Sequence, residues 1–180
     1  MTIRIISEAR QEDGGVRRTI ISERVNVYLS ARISSDAHAW NNTVCGLLDE
    51  RFTVFKPQEH NPYNVDHREL ELKVYEMDLE AMGRSDMGLL LPPYGRDCAW
   101  EVGWYSHSSK PLVVYVETDT GWLRDWMLKG GVDKVLTSQP WMYEILKNDP
   151  ILGVKCSLLK SPTGLSDALI DLTHQGLWRE

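Results

Sequence analysis

Between Arg68 and Val116 the chain changes periodicity three times with short connections, and few folds allow that. Arg68 to Gly83 has the apolar spacing of an amphipathic helix, and Met87-Gly88-Leu89-Leu90-Leu91 is an unbroken apolar run. Asp97 to Trp104 reads as a second helix, and Pro111-Leu112-Val113-Val114-Tyr115-Val116 is another apolar run. Short apolar runs without alternation are the mark of strands covered on both faces, and a helix between two of them supplies the crossover that parallel strands need. The segment predicts a βαβ unit in a parallel sheet.

The same alternation extends in both directions. Val25 to Leu29 has the β-branched and aromatic content of a strand, and Ser34 or Ser35 caps a helix with Ala37, Trp40, Val44, Leu47 and Leu48 at helical spacing. Phe52 to Phe55 reads as a second strand, followed by a polar loop with Pro57, His60, Pro62 and His67 that suits a lid or pocket rim. Beyond Val116 the pattern predicts a Trp-rich helix from about Gly121 to Lys129 and a strand Lys134 to Thr137. A helix opened by Ser138 and Pro140 follows, then a last helix from Leu165 to His174 with Leu165, Ala168, Leu169 and Leu172 on one face. The expectation is one α/β domain over residues 24–180, with a parallel sheet of about five strands and helices on both faces. Residues 1–23 stand outside this rhythm. Ile3 to Ile6 and Val16 to Ile21 flank Asp13-Gly14-Gly15, a hairpin turn signal, so the extension reads either as an accessory hairpin or as a frayed terminal tail.

Composition narrows the function. At 180 residues the chain can bury about 70% of its extended surface and needs no staples. Its net charge of -6, with both signs mixed along the sequence, offers no basic stripe for duplex nucleic acid. Cys45, Cys98 and Cys156 are odd in number, widely spaced and without a zinc-knuckle partner, which points to a reducing compartment and to no structural metal. The first ten residues carry Arg4, Glu8 and Arg10 and lack the apolar core of a signal peptide, and nowhere do about 20 apolar residues run together. The expectation is a soluble, cytoplasmic protein with a small-molecule ligand and no membrane partner.

Glu101 is the first candidate for chemistry. It lies about one turn inside a helix that begins after a parallel strand, near the crevice where open α/β sheets bind ligands, and the positive end of the helix favours its ionised form. A solvated helix glutamate is the plain alternative. Tyr28-Leu29-Ser30-Ala31 at the end of the first strand, Asp78 before Asp86-Met87-Gly88-Leu89, and Asp97-Cys98-Ala99-Trp100-Glu101-Val102-Gly103-Trp104 before Lys110-Pro111 together resemble the nucleoside 2-deoxyribosyltransferase family. The resemblance covers about residues 25–118, with a weaker echo from Leu123 to Thr137. It implies a flavodoxin-like sheet, with the glutamate nucleophile of a Gly-Thr-Ala-x-Glu-x-Gly pattern falling on Glu101. The family's partner tyrosine falls on Tyr28 and its substrate-contacting aspartate on Asp78.

The chemistry of these residue types agrees. Cleavage of an N-glycosidic bond passes through an oxocarbenium-like centre that a carboxylate can stabilise or bond covalently. Glu101 suits that role, Tyr28 can hold its rotamer, and Asp78 is the candidate acid that protonates the departing base. Ser30, Arg32, Asp97, Cys98, Trp100 and His60 are the candidate substrate contacts, with Trp100 as a stacking wall for a base. Asp86, between a helix end and a buried strand, reads as a structural acceptor of backbone N–H groups. Cys98 stands at a helix N-terminus, where a thiolate is favoured, but more plainly packs against ligand.

The chain departs from the family pattern in two places. The Gly-rich loop after the first strand is here Ser30-Ala31-Arg32-Ile33-Ser34-Ser35, and Gly-Thr before the nucleophile becomes Asp97-Cys98. Arg32, Ser34 and Ser35 read either as a phosphate cradle or as a helix cap with a surface arginine. Three functions stay open: transfer of 2-deoxyribose between bases of a nucleoside, hydrolysis of a nucleoside 5′-monophosphate, and non-catalytic nucleotide binding. None calls for a cofactor. The tryptophans and methionines of the C-terminal third, with the resemblance, imply a homo-oligomer in which the Trp122 to Met127 segment borders a neighbour's site.

Overall fold

The computed structural model describes the backbone of residues 5–10 and 16–20 and the full structure of residues 24–60 and 71–174. Strands β1 (Ile5–Arg10) and β2 (Val16–Ile20) pair antiparallel, as a hairpin requires, while the expected turn between them lies outside the described residues.

The remaining strands form one parallel sheet. β3 (Val25–Ala31), β4 (Phe52–Phe55), β5 (Met87–Leu91), β6 (Leu112–Tyr115), β7 (Lys134–Thr137) and β8 (Cys156–Leu158) are ordered β4-β3-β5-β6-β7-β8. Every pairing is parallel, with Leu29 opposite Leu89 and Leu89 opposite Val113 in the centre. This is the doubly wound, flavodoxin-like arrangement, one strand wider than expected. The missed strand, β8, is three residues long and only partly covered at the sheet edge, so it carries no apolar run to announce it.

Helices cover both faces. α1 (Ser35–Cys45) and α7 (Leu165–His174) lie on one side, where Val44, Leu165, Leu169 and Leu172 pack on Val27, Leu29, Leu89 and Val113. α3 (Glu71–Arg84), α4 (Arg96–His107), α5 (Trp126–Gly131) and α6 (Pro140–Lys147) cover the other, through Met82, Val102, Tyr105, Leu128 and Met142. β5 is buried at all five positions because both layers press on it. Gly88 marks the closest approach. A Cβ there would stand 2.7 Å from Leu112 Cδ1 and 2.8 Å from the Tyr105 ring, so only glycine lets α4 lie this near the sheet.

Several boundaries differ from the sequence reading for local reasons. The expected polar loop after β4 begins with one helical turn, α2 (Pro57–His60), and His67 lies outside the described residues. The expected helix from Gly121 to Lys129 is broken in two: a 3-10 turn covers Gly121–Arg124, and α5 starts afresh at Asp125. The Asp125 side chain accepts from the Leu128 amide at 3.3 Å and from the Tyr94 hydroxyl at 2.8 Å, which makes it a cap rather than an interior residue. α6 is capped at Gln139 rather than Ser138. Glu117, buried just past β6, accepts from the Ser138 amide and hydroxyl at 2.9 and 2.8 Å and from Gln139 Nε2 at 2.7 Å, which ties the start of α6 to the sheet. Asp86 is structural, as expected: it accepts from the backbone amide of Asn26 at 2.7 Å and so joins the mouth of β5 to β3.

Candidate active site

The strand order reverses between β3 and β5, because the chain leaves β3 toward β4 on one side and returns to β5 on the other. Two neighbouring connections therefore part at the carboxyl ends of these strands, and ligands of open α/β sheets bind in the crevice this opens. A cavity of about 900 Å³ lies there, lined by the end of β3, the start of α1, one side of α3 and the first turns of α4. That volume suits a ligand of nucleoside size.

β3 and α4 bring a carboxylate and two hydroxyl donors together. Strand residues alternate between faces, so Val27, Leu29 and Ala31 enter the core under α1 and α7 while Tyr28 and Ser30 point toward α4. On α4 the buried positions Cys98, Glu101, Val102 and Tyr105 share the stripe that faces the sheet. Glu101 is only 8% exposed. Its Oε1 accepts from the Tyr28 hydroxyl at 2.7 Å and its Oε2 from the Ser30 hydroxyl at 2.5 Å. Both oxygens are thus held, and the plain alternative of a solvated glutamate does not apply.

The electrostatics follow from burial. Desolvation raises the Glu101 carboxyl to about 7, against the lowering effect of the Ser30 and Tyr28 hydrogen bonds and with added repulsion from Asp78 and Asp97. Asp78, on the α3 wall, is raised to about 6 by burial, with His60 opposing and Asp97 adding to the shift. The Tyr28 phenol is pushed far above its ordinary range by burial and by Glu101, so it serves as a donor throughout the physiological range. The two carboxyls beside one cavity titrate close together, so forms with one protonated and one ionised are populated between about 6 and about 7.

Of the other residues singled out by sequence, Arg32, Asp97, Cys98 and Trp100 line the cavity with Glu101 and Asp78. Ser30 is fully buried, donates its hydroxyl to Glu101 and is not among the residues that line the cavity. At Cys98, burial and the neighbouring Glu101 push the thiol up to about 12, which outweighs the helix end and keeps it protonated. His60 is exposed and does not line the cavity. It stacks on Phe55 with ring centroids 4.7 Å apart, and Phe55 stacks on Tyr28 at 5.7 Å. Sequence reasoning missed this aromatic relay, and it missed Glu71 and Tyr75, which line the cavity one turn apart on α3. Tyr75 meets Trp100 edge to face at 5.8 Å.

Among the described residues no three His, Cys, Asp or Glu side chains are grouped as metal ligands, and no helix is long and apolar enough to cross a membrane.

Residues 24–120, more than half of the chain, match the family model described as nucleoside 2-deoxyribosyltransferase like. Among solved structures, similarity is found to a 2-deoxyribosyltransferase from Bacillus psychrosaccharolyticus, 21% identical over 62% of this chain and 85% of that one, with a TM-score of 0.49. A CMP N-glycosidase of Clostridium botulinum is 15% identical over 82% of this chain and 98% of that one, with a TM-score of 0.44. No curated protein matches the sequence.

Proposed function

We propose that this chain, which belongs to the nucleoside 2-deoxyribosyltransferase-like family, breaks the N-glycosidic bond of a deoxynucleoside and passes the sugar to an acceptor base through a covalent bond to Glu101. The observation that carries this reading is the pair of hydroxyl donors that fixes both oxygens of a buried carboxylate at the rim of a nucleoside-sized cavity. Pre-organised donors on a desolvated carboxylate are what a nucleophile requires.

In the first half-reaction a Glu101 oxygen bonds to C1′ while the C1′–N bond breaks, its electrons passing to the base, and Asp78 gives that base a proton. In the second half the acceptor base displaces Glu101 from C1′ and returns a proton to Asp78. Tyr28 and Ser30 hold the carboxylate throughout, and Trp100 and Tyr75 provide the wall on which a base stacks. Water in place of the second base turns the same intermediate toward hydrolysis.

A second reading, hydrolysis of a nucleoside 5′-monophosphate, is favoured by Arg32 and Ser34 on the cavity wall at the start of α1. A third, nucleotide binding without catalysis, needs only the cavity. We place the activity in one domain, residues 24–180, acting as a cytoplasmic homo-oligomer, with the 76% exposed Trp126 and 87% exposed Met127 as contact residues. Incubating the protein with a deoxynucleoside or a nucleoside 5′-monophosphate, with and without a free acceptor base, tests the function. Transfer yields a new nucleoside only with acceptor, hydrolysis yields free base with sugar or sugar phosphate without it, and no product from either substrate leaves the third reading alone.

A further inference from the structure

Two helix N-termini border the cavity, those of α1 at Ser34 and of α4 at Gly95. Unmodified, each would favour an anion such as a sugar phosphate. Here each carries an acid in its first turn, Asp36 on α1 and Asp97 on α4. Arg32, the one lysine or arginine on the wall among the described residues, stands 3.5 Å from Asp36. Neither end is closed by a side-chain cap, so what stands against a phosphate at each is the neighbouring carboxylate.

The rest of the wall is acidic. Glu71, Asp78 and Asp97 line the cavity beside Glu101, against Arg32 alone. The carboxylates are spread around the wall and do not close on one point as a metal cage would. Such spacing fits an extended organic ion. Tyr75 and Trp100, 49% and 48% exposed, add two partly open rings on adjacent helices, and aromatic faces attract flat cations.

We infer that, given glycosyl transfer at Glu101, the cavity selects an N-glycoside whose base bears a positive charge and whose sugar bears no phosphate. With such a substrate the chemistry is simpler. The C1′–N bond breaks with both electrons going to the nitrogen, the base leaves neutral, Glu101 forms the bond to C1′, and no proton moves. Asp78 and Asp97 act as counter-charges to the bound base. The same cation favours the ionised form of Glu101, whose charge Asp78 and Asp97 otherwise oppose.

The test compares 2′-deoxyadenosine, its 1-methyl derivative, which is cationic near neutral pH, and 2′-deoxyadenosine 5′-monophosphate. Equilibrium dissociation constants are measured on the Glu101→Gln protein, so that binding is read without turnover, and kcat/KM on the unaltered protein. The expected order is cation tighter than neutral nucleoside by about tenfold, and neutral nucleoside tighter than monophosphate by a similar factor. Asp97→Asn should compress that order. As pH rises within the range in which the methylated base keeps its charge, kcat/KM for the neutral nucleoside should fall while that for the cation persists, because only the former needs a proton. Equal or tighter binding of the monophosphate, equal binding of cation and neutral nucleoside, or no binding of any of the three overturns the inference. The expected binding order without turnover of any substrate would instead remove the glycosyl-transfer reading and leave the charge preference standing.

Discussion

The Tyr28 hydroxyl donates a 2.7 Å hydrogen bond to Glu101 Oε1 across 73 positions of sequence. The contact exists because two periodicities converge: strand alternation turns Tyr28 and Ser30 toward α4, and the helical repeat turns Glu101 toward β3. Burial makes the arrangement informative. A carboxylate raised to about 7 is half ionised near neutrality, so small changes in its two donors move it between nucleophile and neutral acid.

Glu101→Gln keeps the size of the side chain and most of its hydrogen-bonding reach while removing the charge that would attack C1′. Glycosidic cleavage should fall by about three orders of magnitude or more, with ligand affinity changed far less. Steady-state kinetics with a deoxynucleoside, beside direct binding, separate the two effects. Near-normal turnover would remove Glu101 as nucleophile.

Tyr28→Phe and Ser30→Ala each delete one donor to the carboxylate. Hydrogen bonds to charged groups contribute about 1.5–3 kcal/mol, so each variant should lose roughly tenfold to a hundredfold in kcat. The pair should lose less than the product of the single effects, since both act through Glu101. A double-mutant cycle on kcat checks this, and strictly multiplicative losses would show that the two hydroxyls act independently of each other.

These donors show how far the sequence reaches. The alternation of apolar runs with amphipathic helices located five of the six parallel strands and put Glu101 near the crevice, because buried strands and helix stripes leave patterns within one segment. Tyr28 was legible through the family resemblance, although β3 runs on to Ala31 and sets it at the middle of the strand instead of the end. The role of Ser30 was not, since whether a small hydroxyl meets substrate or carboxylate depends on which face the strand turns toward α4, and that is set by pairing with β4 and β5. The state of the Cys98 thiol was open, because helix position argues one way and burial the other, and burial is a property of packing. Tyr75 and Glu71 share a face of α3 that sequence marks only as polar, and the cavity opposite them is made by α4.

The two carboxyls predict a narrow pH response for a neutral nucleoside. The productive state has Asp78 protonated, favoured below about 6, and Glu101 ionised, favoured above about 7. Because the order is reversed, that state is a minor form that peaks between the two values. The profile of kcat/KM should be a bell with its maximum near pH 6–7, whose limbs belong to the coupled pair. Asp78→Asn should lower the maximum and flatten the alkaline limb. A limb that stays in place in that variant would exclude Asp78 as the acid.

Gly88→Ala tests the close packing that seats α4. The added Cβ would meet Leu112 Cδ1 at 2.7 Å and the Tyr105 ring at 2.8 Å, and Tyr105 lies one helical turn beyond Glu101. Overpacking of this kind costs about 1–3 kcal/mol. Chemical denaturation should show that loss, and kcat should drop alongside it as α4 is displaced from β3. Unchanged stability would mean that the Tyr105 ring moves aside freely.

Glu101 also leaves a signature in stability that needs no substrate. Its carboxyl is raised from 4.5 to about 7 in the folded protein, so between those values the folded state binds more protons than the unfolded state. Stability from this group is fully present below about 4.5 and is lost as pH rises through about 7. The loss is on the order of 3 kcal/mol, which for a chain of this size corresponds to several degrees in Tm. Glu101→Gln has no such titration. The difference in Tm between variant and unaltered protein should therefore be smallest near pH 4.5, grow in favour of the variant up to about pH 7, and level off above it. Thermal melts from pH 4.5 to 8.5 decide the matter: a difference that does not change with pH would mean that Glu101 titrates in the folded protein as it does in the unfolded chain, and the desolvated nucleophile would lose its physical basis.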